Sequence, residues 1–155
     1  MNEIKKILVP IDFSDYSKNA LKYAIEFAEI FGAKIFLVYV IEPMIYPTDF
    51  SIGQVAIPAV ENDMSTRAEV ELNNLVKAEI NGRTESQIII KSGKPFIEII
   101  EAAAELDIDL IIIATHGHTG VEHLLFGSTA EKVVRKAPCP VLTLREPIKG
   151  FKYSK

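Results

Sequence analysis

The residues best suited to chemistry lie in one stretch, from residue 109 to residue 128. A short apolar run gives way to a loop rich in histidine and glycine, which ends at a Gly-Ser pair. Glycines lack a Cβ atom, so Gly117, Gly120 and Gly127 can take positive φ angles and let a bulky ligand approach their N–H groups. The pattern predicts a site for an anion and favours the phosphates of a nucleotide.

The residues after this loop predict a helix start. Ser128 begins the sequence Ser-Thr-Ala-Glu, a capping-box pattern in which Ser128 caps the helix and Glu131 reaches back to it. Free first-turn N–H groups and the helix dipole would attract phosphate. From these residues alone two interpretations stay open: an anion site, or a well-capped helix behind a flexible loop.

Three histidines in this loop, His116, His118 and His123, raise the question of a metal. No cysteine or carboxylate cluster with ligand spacing accompanies them, so the sequence favours no metal site. General loop polarity, or a hydrogen bond from His116 or His118 to a phosphate, is the preferred interpretation. The loop also holds no serine with a credible base and acid, so it gives nucleophilic catalysis little support.

Two familiar phosphate-binding motifs are absent from the sequence. No lysine separates Gly127 from Ser128, so the P-loop pattern Gly-x-x-x-x-Gly-Lys-Ser/Thr does not occur. No Gly-x-Gly-x-x-Gly follows the first predicted strand either. These observations disfavour a P-loop ATPase and a dinucleotide-binding Rossmann domain.

The elements that would position the loop alternate between strand and helix. Apolar runs predict strands at residues 4–9, 34–41, 86–91, 109–114 and 140–144, with helices behind Ser14, over 62–80, from Pro95, and over 128–136. This order predicts a mostly parallel sheet with helices on both faces. Ligands bind outside the carboxyl ends of such strands, which selects residues 10–12, 40–42 and 114–127.

Composition limits the remaining possibilities. The 155 residues fit one domain, for which we expect residues 1–146, followed by a solvated tail at 147–155. Residues 42–61 fit no pattern and predict a long loop, which is either a packed or mobile excursion, or else a flap over a ligand or a partner contact. The net charge of −4 argues against nucleic acid, and no apolar run is long enough for a membrane helix. The single cysteine and the absence of a signal peptide predict a cytoplasmic protein.

Specific motifs resemble the universal stress protein family over residues 4–145. They are Pro-x-Asp-x-Ser after the first strand, Ala-Thr-His-Gly followed by nine residues and Gly-Ser-Thr, and Ala-Pro-Cys-Pro-Val-Leu near the end. The resemblance implies an α/β fold with a single open five-stranded parallel sheet in the order 3-2-1-4-5, helices on both faces, similar to the adenine-nucleotide α-hydrolases. It also implies a homodimer that pairs through the last strand, Val141–Leu144.

The ATP-binding branch of this family carries Gly-x-x-Gly, nine residues, then Gly-Ser/Thr. Here Ala114 replaces the first glycine, so one extra methyl group would lie near the ribose. By the resemblance, Pro10 and Asp12 border the adenosine. Val40 hydrogen-bonds adenine through its backbone, and Ile113 lines the pocket. The implied site residues are Pro10, Ile11, Asp12, Val40, Ile113, Ala114, His116, Gly117, His118, Gly127, Ser128 and Thr129.

The resemblance implies a stress-response regulatory module that binds ATP, or AMP or ADP, with Mg²⁺ as a companion of the phosphates and no dedicated protein ligand for the metal. Two alternatives remain: an interaction module of the same fold that binds no nucleotide, and a slow ATPase. Protein partners are not identified by the sequence. Hydrolysis should be slow at most, because neither a P-loop lysine nor a water-positioning base is evident.

Overall fold

A computed structural model describes residues 3–43, 57–116 and 126–145. Strands and helices alternate through the described residues, in the order that the sequence predicts. The elements are β1 (Lys6–Pro10), α1 (Asp15–Phe31), β2 (Lys34–Ile41), α2 (Ile57–Leu75), a π-helical turn (Val76–Ile80), β3 (Ser86–Ser92), α3 (Pro95–Glu105), β4 (Leu110–Ala114), α4 (Ser128–Lys136) and β5 (Val141–Leu144).

The strands form one parallel sheet in the order β3-β2-β1-β4-β5, which confirms the predicted topology. β1 lies at the centre, with Ile7 paired to Ile35 of β2 on one side and to Leu110 of β4 on the other. The central strand residues Ile7 and Leu8 are fully buried, as expected for parallel strands that are covered on both faces.

Two apolar layers cover the sheet, because successive strand residues point to opposite faces. On one face Ile7 and Val9 pack against α1 and α2. On the other face Leu8 and Ile111 pack against α3 and α4. The fold is therefore a three-layer α/β arrangement in which each face of the central strands is closed by a pair of helices.

Both ends of α1 follow from local sequence. Ser14 is the N-cap, with extended backbone angles, and its hydroxyl accepts a hydrogen bond from the Ser17 N–H at 3.2 Å. Gly32 ends the helix with φ of 64°, in the left-handed region where glycine carries no steric penalty. Ala20, Leu21 and Ala24 form the buried stripe between these caps, as the periodicity predicts.

The second helix begins at an earlier residue than the sequence predicts. The sequence predicts a loop over 42–61 and a helix from residue 62, whereas α2 already begins at Ile57. The reason is Pro58, which interrupts a pattern within a helix but is well tolerated in the first turn, where its missing N–H would have no partner. Residues 44–56 of the expected loop and the expected tail at 147–155 lie outside the described residues. No helix within the described ranges is long and apolar enough to cross a membrane.

Candidate functional site

The topology of the sheet creates a crevice between β1 and β4. β1 leads into α1 on one face, while β4 leads towards α4 on the opposite face. The two connections therefore diverge from neighbouring strands at their carboxyl ends, which is where open α/β sheets bind ligands.

A cavity of about 430 Å³ occupies this crevice. Its volume falls in the range of ligand pockets in proteins. The structure brings most of the predicted site residues into its wall: Pro10, Ile11, Asp12, Val40, Ile113, Ala114, His116, Gly127, Ser128 and Thr129. The other two, Gly117 and His118, lie outside the described residues.

Sequence reasoning missed several residues of the wall. They come from β2, from α1 and α2, from α3 and from α4: Ser17, Val38, Tyr39, Met64, Pro95, Ile99 and Ala130. Glu42 and Thr115 also line the cavity, and they lie in the loops that the sequence selects. Alternation along β2 could have identified Val38, because it points to the same face as Val40. Nothing in the local sequence identifies Met64, whose position depends on how α2 packs over the sheet.

The Asp12 carboxylate is fixed by the turn that starts α1. Its Oδ1 atom accepts a hydrogen bond from the Ser14 N–H at 2.9 Å and another from the Ser14 hydroxyl at 2.5 Å. The Asp12 N–H lies 3.3 Å from the Ser17 hydroxyl oxygen, which accepts from it. The N-cap of α1 thus also holds Asp12 in place at the cavity.

An aromatic pair supports the turn next to Asp12. Phe13 has φ of 63°, a left-handed conformation that is uncommon for a bulky residue. Its ring packs against Tyr39 with 5.0 Å between ring centroids. Burial, together with the negative charges of Glu71 and Asp12, raises the pKa of Tyr39. The phenol therefore stays neutral at physiological pH and keeps its O–H donor.

Hydrogen bonds connect Thr115, the first residue after β4, to the end of β5 and to the residue before α4. The Thr115 N–H donates to the Leu144 carbonyl at 2.9 Å, and the Thr115 carbonyl accepts from the Gly127 N–H at 2.6 Å. The Thr115 hydroxyl lies 3.0 Å from Nδ1 of His116, and the His116 ring contacts Tyr16 at 5.8 Å. These contacts hold both ends of the loop between β4 and α4 beside the cavity.

Gly127 is needed for close packing rather than for a positive φ. The sequence indicates that this glycine could take a positive φ, and in the structure its φ is −68°. A Cβ atom at this position would lie 3.1 Å from the Thr115 carbonyl oxygen, which is tighter than ordinary contact. The absence of a side chain therefore serves the approach of α4 to the end of β4.

The predicted capping box does not form at α4. Gly127 is the N-cap, Ser128 is the first helical residue, and the glycine has no side chain that could cap this end. The Glu131 carboxylate instead pairs with Arg135 at 3.0 Å, one turn later on the same helix. Because Gly127 has extended backbone angles, the cap lies one residue earlier than predicted, while the helix bounds 128–136 agree with the prediction. Ser128 and Thr129 therefore present the first turn of α4 to the cavity with no side-chain cap.

No group of three or more His, Cys, Asp or Glu side chains in the described ranges converges to hold a metal ion. His118 and His123 are outside those ranges. The charged side chains in the described cavity wall belong to Asp12 and Glu42.

The cavity combines an apolar wall with polar groups at its ends. Ile113 and Ile99 are almost fully buried, with 5% and 2% of their surface exposed, and offer a flat aromatic ligand a dry contact surface. Asp12, Tyr39 and the hydroxyls of α4 supply hydrogen-bonding groups around it. This division suits an amphipathic ligand with an apolar ring and a polar, anionic end.

Comparison with known proteins gives a consistent result. The sequence model of the "Universal stress protein family" matches residues 3–145. The universal stress protein MJ0531 of Methanocaldococcus jannaschii is 32% identical over 154 residues, which cover 96% of this chain and 86% of that protein.

Solved structures agree with this match. The structure of MJ0577, determined to assign its biochemical function, superposes with a TM-score of 0.81 at 29% identity, covering 95% of this chain and 99% of that one. A universal stress protein from Archaeoglobus fulgidus in complex with dAMP superposes with a TM-score of 0.63 at 21% identity, over 92% of this chain and 98% of that chain. At that identity the second likeness shows the shared fold.

Proposed function

This chain belongs to the universal stress protein family, and we propose that it binds an adenine nucleotide, with ATP as the leading ligand, in the cavity between β1 and β4. The bound nucleotide would act through conformation or protein partners in the cytoplasm, as a regulatory module in the stress response. Hydrolysis is slow at most in this proposal.

One observation carries the proposal: the cavity gathers the end of β1, the end of β4 and the uncapped start of α4 around a single apolar wall. We assign adenine to the wall formed by Ile113 and Val40, where the backbone of Val40 can hydrogen-bond the base edge. Asp12 would accept a hydrogen bond from the ribose. Gly127, Ser128 and Thr129 would hold phosphates through N–H groups and hydroxyls, aided by the helix dipole.

Three further residues belong to the same proposal. His116 lies beside Thr115 at the cavity wall, where its ring can hydrogen-bond a phosphate. Gly117 and His118, outside the described residues, would continue this phosphate-binding loop. Mg²⁺ would enter with the phosphates, because acidic side chains of the wall and the triphosphate together favour a divalent cation.

The dAMP held by the Archaeoglobus fulgidus protein supports an adenine ligand as the first choice to test. The resemblance of the Ala114-to-Ser128 region to the family's nucleotide motif supports the same choice. Ala114 favours the second candidate, an interaction module that binds no nucleotide, because its methyl group lies in the cavity wall where the nucleotide motif has glycine.

Mass analysis of small molecules released from the denatured purified protein tests the proposal directly. We expect an adenine nucleotide to be recovered, or to be retained when nucleotide-free protein is incubated with ATP and Mg²⁺ and then desalted. GTP serves as the matched control, since the proposed base contacts are specific for adenine. Equal retention of ATP and GTP, or retention of neither, would contradict the proposal.

A further inference from the structure

Two lysines of α4 converge on one aromatic ring of α3. The Lys132 ammonium lies 4.8 Å from the centre of the Phe96 ring, and the Lys136 ammonium lies 5.6 Å from it. Like charges spaced four residues apart on a helix repel each other and lower helix stability. The Phe96 ring offsets that repulsion through its negative face, so it holds two positive charges together at the surface.

This cluster adjoins residues that line the cavity. Phe96 directly follows Pro95, which lines the cavity, and Lys132 follows the lining residue Ser128 by one helical turn. Residues four apart share a helix face, and helical side chains lean towards the helix N-terminus. Lys132 therefore lies on the same face of α4 as Ser128, one turn farther from the start of the helix.

The charges in the cavity wall explain why a lysine near it would matter for phosphate binding. The charged side chains in the described cavity wall, Asp12 and Glu42, are acidic and repel phosphates. Charges that are a few ångströms apart at a partly exposed site still interact, although solvent screens them. A lysine ammonium near the phosphates would oppose the repulsion most strongly for the ligand that carries the most negative charge.

We propose that Lys132, positioned by Phe96 and assisted by Lys136, attracts the terminal phosphates of a nucleotide bound in the cavity and makes the site prefer a triphosphate over shorter phosphate chains. This inference rests on the proposed adenine-nucleotide site and adds to it a selectivity for phosphate-chain length. Lys132 acts as a specificity-determining residue in this account, while the base and ribose contacts are made elsewhere.

Calorimetric titration of the wild-type protein and the Lys132→Gln variant with ATP, AMP and adenosine, at low ionic strength, tests the inference. We expect the variant to bind ATP about fivefold more weakly, the size expected for the loss of one exposed charge interaction. AMP affinity should fall less than ATP affinity, and adenosine affinity should not change, because adenosine carries no phosphate. Raising the salt concentration should narrow the difference between the two proteins for ATP.

The matched control is Lys77→Gln. Lys77 is also exposed, but it lies in the π-helical turn that leads into the amino end of β3, at the opposite end of the sheet from the cavity. Thermal unfolding should show that both variants fold like the wild type. Equal ATP affinity for Lys132→Gln and wild type would overturn the inference, as would an equal loss in Lys77→Gln, which would indicate an effect of total charge.

Results that reject the proposed adenine site can be distinguished from results that reject only the role of Lys132. If the wild-type protein binds neither adenosine nor ATP, the adenine site itself is wrong and the inference falls with it. If the wild-type protein binds both ligands and Lys132→Gln does not alter their ratio, the adenine site stands and only the role of Lys132 is rejected.

Discussion

The methyl group of Ala114 distinguishes this site from the glycine pattern of the family's nucleotide-binding branch. Ala114 ends β4, pairs with Leu144 of β5, and keeps only 9% of its surface exposed. The exposed part faces the cavity, because the residue also belongs to its wall. The motif predicted this position from the sequence, but only the structure shows that the residue is both part of the core and part of the wall.

A graded series at Ala114 separates these two roles. We expect Ala114→Gly to bind ATP more tightly, because the ribose gains room, while losing about 0.5–1 kcal/mol of stability through the flexibility of glycine in a strand. Ala114→Val should weaken ATP binding, because two further methyl groups enter the cavity wall. Calorimetry gives the affinities and urea unfolding gives the stabilities. An ATP affinity that is the same in all three proteins would show that the methyl group is irrelevant to binding.

At the scale of elements, the sequence predicted what depends on local chemistry and missed what depends on packing. The Ser14 cap, the Gly32 stop and the Pro95 start of α3 each follow from one residue's backbone preference, and the structure confirms them. The capping box at Ser128 was wrong, because Gly127 already occupies the cap position. Met64 lines the cavity because α2 packs over the sheet, and no local sequence pattern predicts that packing.

The two serines at helix starts should therefore differ in their effect on stability. We expect Ser14→Ala to lower the free energy of unfolding by about 1 kcal/mol, the usual cost of losing an N-cap. Ser128→Ala should change it by less than about 0.5 kcal/mol, because that serine caps nothing. Urea unfolding of both variants measures the difference. A loss in Ser128→Ala as large as that in Ser14→Ala would contradict the assigned cap.

At the scale of the whole molecule, β5 forms one edge of the sheet, and all four of its residues are only partly buried. The Pro140 and Leu144 carbonyls accept hydrogen bonds from β4. Because the hydrogen-bonding direction alternates along a strand, the polar backbone groups of Val141 and Thr143 point to the open side. An apolar edge with free backbone groups invites pairing with a second strand. The proposed homodimer would form there.

Backbone substitution tests this dimer without disturbing the pairing of β5 with β4. Thr143→Pro removes an N–H group on the open side, so we expect it to convert a dimer to a monomer in analytical ultracentrifugation. Thr143→Val is the matched control, since it keeps the N–H group and removes only the hydroxyl. A monomeric wild-type protein, or a dimer that survives Thr143→Pro, would rule out this interface.

The account as a whole depends on whether the cavity between β1 and β4 holds an adenine nucleotide. Calorimetric titration of nucleotide-free protein with ATP in the presence of Mg²⁺ measures this most directly. We predict saturable binding of one ATP per chain, with no comparable binding of GTP. If no heat of binding appears with ATP, and ADP and AMP give none, the nucleotide site is contradicted and the chain is an interaction module that binds no nucleotide.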